Sequence, residues 1–412
     1  MISSFLVAVA LSQTPPFVRQ VVPIKPTGDD YRDLEPIRRA IGSSRVVQLG
    51  ELTHGDGTSF LMKTRLVKYL HEKAGFDVLV WESGFLECDE LNAALGGKGS
   101  INDIAATAVF PHWSRANESI GVFEYAAKTK STSRPLLMAG FDIQSSGSRG
   151  NAVFLDLIRD IANRFPDVAL KQRLLTVEAM SEGPEKEAAI LELSTDAHRA
   201  IDLGGGLKLK SKHLVIEESD QRFFSFQNYY RMMEAHKKFQ KEQTGLNFQV
   251  GYNLRERANF ENQKWLIDTK YKGKKVMVWA HNSHISHLGA DGNYTSPKPD
   301  EVMLDSTGRH LKQWLGSKLY SIGFVASGGK WSWMGQPPSD FQPATEGWFE
   351  SNLAMSKHEV GFLDLRRAKG LTASLPGMLN RQGDQVNSLV WPKVFDGVIY
   401  VRDMKPRTQI GR

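Results

Sequence analysis

Seven short runs of β-branched and other apolar residues constrain the fold of this chain more than any other feature. They are "RVVQLGE" (45–51), "FDVLVWES" (76–83), "RPLLMAGFD" (134–142), "KKVMVWAHNSH" (274–284), "KLYSIGFVAS" (318–327), "EVGFLDL" (359–365) and "FDGVIYVRD" (395–403). Most lack polar alternation, so as strands they need cover on both faces, which a parallel or mixed sheet between helices provides. Helical patterns lie between the runs. In 58–75, Phe60, Leu61, Leu66, Val67 and Leu70 fall near one stripe, and Gly75 supplies a stop. The strand–helix–strand order over 45–83 predicts a βαβ unit with a right-handed crossover. The expected fold class is therefore α/β, with a parallel or mixed central sheet flanked by helices.

Residues 151–272 break this rhythm. They carry helical periodicity, many Glu, Lys and Gln residues and few strand candidates, with the clearest helices at 151–165 and 221–239 and a glycine loop at 202–212. The expected organisation is an α/β core made of 28–150 and 273–412, interrupted by a helical insertion at 151–272.

In a parallel sheet the carboxyl ends of the strands share one edge, where α/β proteins bind their ligands. Glu51 and His54 follow the first run, Glu82 closes the second, Asp142 the third, and His281 with His284 the fourth; Ser327, Gly328 and Gly329 follow the fifth. An active-site cleft is expected at that edge. Taken singly, Glu51 reads as a strand-end cap and His54 as a histidine bonded to a carbonyl. Glu82 is harder to explain structurally, because a carboxylate after "VLVW" is partly buried and needs a partner. Two imidazoles and an amide closing the most apolar strand, "AHNSH", add to a joint reading as a functional site.

Other classes are disfavoured. The formal charge is +6, from 52 basic and 46 acidic residues, but the basic residues are densest only near 208–212 and 236–241. Apart from Phe239 no aromatic interleaves them, which suits a solvated helical face better than a nucleic-acid groove. Cys88 is the only cysteine, so neither an intramolecular disulfide nor a thiolate zinc cluster can form. No segment approaches the ~20 apolar residues of a membrane span. The start, "MISSFLVAVALSQTPP", has a short apolar run and small residues at signal-peptidase spacing but no preceding Lys or Arg. Residues 1–20 are read as a clipped or atypical secretory signal, giving a secreted or periplasmic protein; a disordered cytosolic start is the alternative. Oligomeric state is not legible.

"GELTHG" (50–55), Lys63 with "RL" (65–66), "VLVWES" with Glu82, "LRERANFENQKWL" (254–266), "VMVWAHNSH" (276–284) and "YSIGFVASGG" (320–329) together resemble the erythromycin esterase family. The likeness spans 45–330, in order, through Arg255, Glu256, Asn262 and Trp265 as well as the histidines. It implies an α/β core with a helical insertion and metal-independent, cofactor-free hydrolysis of a small-molecule ester or lactone, macrolide lactones among them. Carried over, His54 would be the general base that activates water, with Glu51 and Glu82 orienting and charge-balancing it. His281 and His284 match the family's histidine pair and, with Lys63, would be donors to the tetrahedral oxyanion. Lys63, Arg255 and Asn282 would face the substrate, and Trp331 or Trp333 of "GGKWSWMGQPPSD" (328–340) would wall it. Lys63 stands where the family often has arginine, and Thr58 where many members have an acid.

No "G-x-S-x-G" elbow occurs, which argues against a serine esterase. Two alternatives stay open. A metal-dependent hydrolase could use His281, His284 and His287 with His54, although i and i+3 on a strand point to opposite faces. A non-catalytic glycoside-binding protein would keep the cleft without turnover.

Overall fold

The computed structural model describes residues 14–164, 167–203, 246–289, 305–379 and 386–411. The expected helix at 221–239, the loop from 204 to 212 and the first thirteen residues lie outside the described residues.

All seven apolar runs are strands of one sheet. Its members are β1 (Val22–Pro23), β2 (Val46–Leu49), β3 (Phe76–Gly84), β4 (Leu137–Asp142), β5 (Lys275–Trp279) and β6 (Leu319–Ala326). After a small hairpin of β7 (Lys330–Trp331) and β8 (Ser339–Asp340) comes β9 (Val360–Asp364). A second hairpin, β10 (Leu375–Gly377) and β11 (Asn387–Leu389), precedes β12 (Gly397–Val401). Among the described residues the sheet has eight strands in the order β1-β9-β12-β6-β2-β5-β3-β4. The neighbours from β12 to β4 pair in parallel, and β9 pairs antiparallel with both β12 and β1, so the sheet is mixed.

Side-chain alternation sends two apolar sets to opposite faces. Val47, Leu49, Leu79, Trp81, Met277, Trp279, Ile322 and Phe324 enter one core, shared with the helices Gly57–Ala74 and Asn117–Thr129. Val46, Val78, Val80, Val276, Val278 and Val325 enter the other, against the helices Leu246–Trp265, Thr307–Leu315 and Phe349–Ala354. Two buried faces explain why the runs carry no polar alternation.

Two local features go beyond those expectations. β2 and β3 flank the helix Gly57–Ala74 in sequence but are not neighbours, because β5 pairs with both. Chain order dictates the crossover and not adjacency, and β5, apolar and buried after Lys275, fills the slot between them. The helix itself is buried on nearly every side, including Lys63 and Arg65, so its single stripe understates its cover. It ends at Gly75, whose φ of 75° is the left-handed stop glycine tolerates.

Between 151 and 272 the described residues form helices and no strand. Gly150–Arg164, Val168–Glu178 and Pro184–Leu203 share a hydrophobic core of their own around Ile158, Leu174 and Leu193. The helix Leu246–Trp265 instead packs on the sheet, where its residues reach the carboxyl ends of the strands.

Asn282 locks the strand ends together. Its amide donates to the carbonyls of Phe324 at 2.7 Å and Leu379 at 3.1 Å, and its oxygen accepts from the Phe324 N–H at 3.1 Å. Gly50 makes room for it: a Cβ there would lie 2.1 Å from the Asn282 oxygen, which these bonds hold in place. Gly50→Ala is expected to destabilise the fold by about 1–3 kcal/mol through overpacking. A shift in the denaturant midpoint with unchanged slope checks this.

Candidate active site

The turn after β2 is built by its own polar side chains. The buried Asp56 carboxylate accepts the N–H groups of Leu52 at 2.8 Å and Thr53 at 3.0 Å and the Thr53 hydroxyl at 2.7 Å. The Thr53 hydroxyl oxygen in turn accepts from the Gly55 N–H at 2.9 Å. This closed turn fixes Glu51 and His54 side by side. Burial, with repulsion from Glu51, pushes Asp56 up to about 7 against the opposing Thr53 bonds.

Glu51 is completely buried and fully engaged. One oxygen lies 2.7 Å from His54 Nδ1 and accepts the Trp113 indole N–H at 2.9 Å; the other lies 2.5 Å from Lys63 Nζ. Burial alone would raise its pKa, but Lys63 and His54 hold it below the ordinary value. The carboxylate therefore accepts the Nδ1 proton of His54, leaving the Nε2 lone pair outward. Glu82 Oε1 lies 4.0 Å from that Nε2, too far for a direct hydrogen bond. Five rings surround the His54 imidazole: Trp113, His281, Phe110, Trp333 and His112, with centroids 5.1, 5.4, 5.6, 6.2 and 6.3 Å away.

Glu82, on β3, accepts the His281 N–H at 2.8 Å and lies 2.9 Å from His284 Nε2. The other His284 nitrogen is 2.6 Å from Glu256. Burial disfavours the His284 cation, yet Glu256 and Glu82 outweigh it and raise its pKa to about 10. It is an imidazolium clamped between two carboxylates, and it holds Glu82 ionised well below the usual range in spite of burial. Arg255 comes from one helix turn of Leu246–Trp265, next to Glu256. Its Nε donates to Asp142 at 3.0 Å, and its Nη2 lies 3.6 Å from Glu82. Further along that helix, Asn262 donates to the Phe141 carbonyl at 2.8 Å, tying it to β4.

The sequence profile of the erythromycin esterase family matches residues 71–404, most of the chain. This protein belongs to the erythromycin esterase family. The curated "Putative hydrolase YbfO" of Bacillus subtilis (strain 168) is 26% identical over 420 residues, covering 94% of this chain and 90% of that protein. "Erythromycin esterase type II" of Escherichia coli is 30% identical over 120 residues, 29% of this chain and 28% of its own. Among solved structures, a succinoglycan biosynthesis protein matches with TM-score 0.70 at 20% identity over 95% of this chain and 96% of its own. A mutant of the erythromycin esterase EreC in its open conformation matches with TM-score 0.65 at 13% identity, covering 97% and 98%. These establish a hydrolase family and its α/β fold. The matched profile begins after Glu51 and His54, so their geometry carries their part of the argument.

Within this family member the site residues fall into two groups. Glu51, His54, Glu82, His284 and Arg255 form one connected charge cluster at the carboxyl ends of β2 to β5. His281 adjoins it but has no free nitrogen. Its Nε2–H donates to the Leu52 carbonyl at 2.8 Å, and its Nδ1 accepts from the Ser283 N–H at 3.1 Å. That neutral state agrees with a pKa lowered to about 4, chiefly by burial.

Lys63 and Asn282, expected to face the substrate, do not. Lys63 is fully buried, bonded to Glu51 and the Ala280 carbonyl at 3.3 Å and lying 4.3 Å over the Trp279 ring. Asn282 is the buried strand clamp described above. Trp333 stands over His54, while Trp331 contacts it from behind at 6.2 Å and packs on the core.

The strand reading of "HNSHISH" is also corrected. β5 stops at Trp279, and Asn282–Ile285 form a helical turn capped by His281, which places the first two histidines on one side. The three still do not converge, since His287 bonds the Ser321 hydroxyl at 2.9 Å near Asp396. Among the described residues no group of three or more His, Cys, Asp or Glu is arranged to hold a metal ion. Trp113, His112 and Phe110 were not legible as site residues; "FPHWS" carries only a Pro-bounded aromatic cluster as its signal.

The clamped imidazolium predicts a pH signature. His284 has a folded pKa near 10, above the ordinary value of 6.5, so its stabilisation is full below about 6.5 and vanishes as pH rises through about 10. Lys63, lowered by burial to about 8, titrates with the opposite sign over part of that range. The clean observable is therefore the stability difference between the wild type and His284→Gln. It should be greatest near pH 6.5 and shrink steadily toward pH 10 in thermal unfolding.

Proposed function

We propose that this protein hydrolyses a carboxylic ester or lactone by direct attack of a water that His54 deprotonates. One observation carries the reading: Glu51 lies 2.7 Å from His54 Nδ1, and accepting a hydrogen bond from that nitrogen leaves the lone pair on Nε2, 4.0 Å from Glu82. A water bonded to Nε2 gives up its proton as its oxygen attacks the ester carbonyl. The imidazolium that forms is balanced by Glu51 on one side and Glu82 on the other. The negative carbonyl oxygen then needs a donor. His281, His284 and Lys63 have their protons committed elsewhere, so Arg255, partly exposed and anchored by Asp142, takes that role. As the C–O bond breaks, the proton on Nε2 passes to the leaving alkoxide and the carboxylic acid is released.

The substrate is a small-molecule ester or lactone, macrolide lactones included, received against the half-buried rings of Trp333 and Phe110. The metal-dependent alternative would need His281, His284 and His287 to direct lone pairs to one point, and their committed nitrogens do not favour it.

An ester and lactone panel, macrolides included, tests the activity. For an ester that turns over, a single turnover with excess enzyme in ¹⁸O-water tests the step. Direct water attack places one labelled oxygen in the acid product of that first turnover. Attack by a protein carboxylate would instead transfer an unlabelled oxygen, and that result would overturn the assignment of His54.

A further inference from the structure

Two buried donors at the edge of the site lack partners among the described residues. His112 is 5% exposed, on the short helix Pro111–Ser114, and its Nδ1 is buried without a hydrogen-bond partner. Its ring stacks on Phe110 at 4.6 Å and meets Trp333 at 4.1 Å, and its Nε2 accepts the Met334 N–H at 3.4 Å. Since Nε2 is used as an acceptor, Nδ1 carries the proton and is the unmatched donor.

Arg407 is the second. It is 3% exposed, its Nη2 donates to the Arg115 carbonyl at 3.1 Å, and its Nε is buried without a partner. Among the described residues no carboxylate forms an ion pair with it. Glu118, which acts on it electrostatically, is bonded instead to Thr408, at 2.7 Å from the hydroxyl. The Arg407 backbone N–H donates at 2.8 Å to the Gly55 carbonyl, next to His54, and that carbonyl also accepts the Ser332 N–H at 3.2 Å. Arg407, His112 and the segment bearing Trp333 are thus gathered around the His54 turn. Burial foremost, with a smaller contribution from the charge of Arg407, keeps His112 neutral.

A buried donor without an acceptor costs about 1–3 kcal/mol, and a buried guanidinium without an anion costs more. Neither helps the water-activating chemistry. We propose that His112 and Arg407 form a subsite for a carboxylate on the substrate, so that the preferred esters carry a free acid group beside the bond that is cut. The proposal rests on the hydrolase reading and names its substrate class. Arg407 supplies the charge and His112 a directed N–H, while Trp333 covers the apolar chain between acid and ester.

The test uses a matched pair, monomethyl glutarate and dimethyl glutarate, together with calorimetric binding of glutarate. The wild type should prefer the acidic ester by at least tenfold in kcat/KM, the ratio approaching 1 in Arg407→Met. His112→Phe, which keeps the ring stack, should lose several-fold of the preference and serves if Arg407→Met does not fold. A wild-type ratio near 1, or an unchanged ratio in the variants, overturns the subsite and leaves the hydrolase reading intact. If the wild type cleaves no ester on the panel, the hydrolase reading falls. Glutarate binding that Arg407→Met or His112→Phe abolishes would then still support the carboxylate site, and equal or absent binding would overturn it.

Discussion

His54→Ala is expected to lower kcat by about 10²–10⁴-fold on any ester the wild type cleaves, with KM changing little, because removing a general base costs this much. The fold should survive. Glu51 keeps Lys63 at 2.5 Å and the Trp113 indole at 2.9 Å, so no buried charge is stranded when the imidazole is removed. The cavity left among five rings is shaped for an imidazole, so added imidazole should restore part of the lost rate. Steady-state kinetics with and without imidazole, beside a thermal unfolding curve, separate the outcomes. A variant as fast as the wild type would remove His54 from the water-activating role.

Lys63→Met should damage both stability and rate, for a different reason. Methionine fills the volume of the lysine stem but leaves Glu51 buried without its cation, and breaking a buried pair from one side costs about 3–5 kcal/mol. In the wild type, Lys63 and His54 hold the Glu51 pKa low. That contribution is present above the ordinary carboxylate value of 4.5 and is lost as pH falls through the depressed one. The gap between wild type and Lys63→Met should therefore narrow in acid, where Glu51 can take up a proton. At neutral pH the partly protonated Glu51 no longer fixes the His54 tautomer, and kcat falls as well. The double variant Lys63→Met/Glu51→Gln removes both charges and should regain much of the stability but none of the rate. Recovery of activity in the double variant would contradict the part given to Glu51.

Some of this architecture could be read directly from the residues. Apolar runs without alternation identify strands buried on both faces, and seven of the eight strands described in the mixed sheet follow from that physics. Their neighbours do not: nothing local in "KVMVW" says that β5 belongs between β2 and β3. The polar residues at the run ends are visible in the same way, since a carboxylate after "VLVW" has to be paired. Direction is harder. Lys63 is legible as a basic residue on a helix, but twelve residues separate it from Glu51, and only the packed helix turns its ammonium inward. Asn282 looks like a substrate ligand because it sits between two histidines, whereas its amide satisfies backbone groups of two distant segments. Trp113 and His112 come from a single helical turn, Pro111–Ser114, too short to give a periodic signal, so their meeting with Glu51 and His54 is a property of the tertiary structure alone.

The position of β5 has a consequence for how the protein is made. On the ribosome, β2 and β3 emerge about two hundred residues before the strand that must lie between them. Until then each has an unpaired ladder edge, the kind of surface that invites mispairing. His281 and His284 arrive with that late strand, and so does the backbone N–H that seats Glu82. Biogenesis is therefore ordered so that a nascent chain cannot assemble the charge cluster before β5 and the turn after it have been translated, and release before that point should yield an association-prone fragment without it.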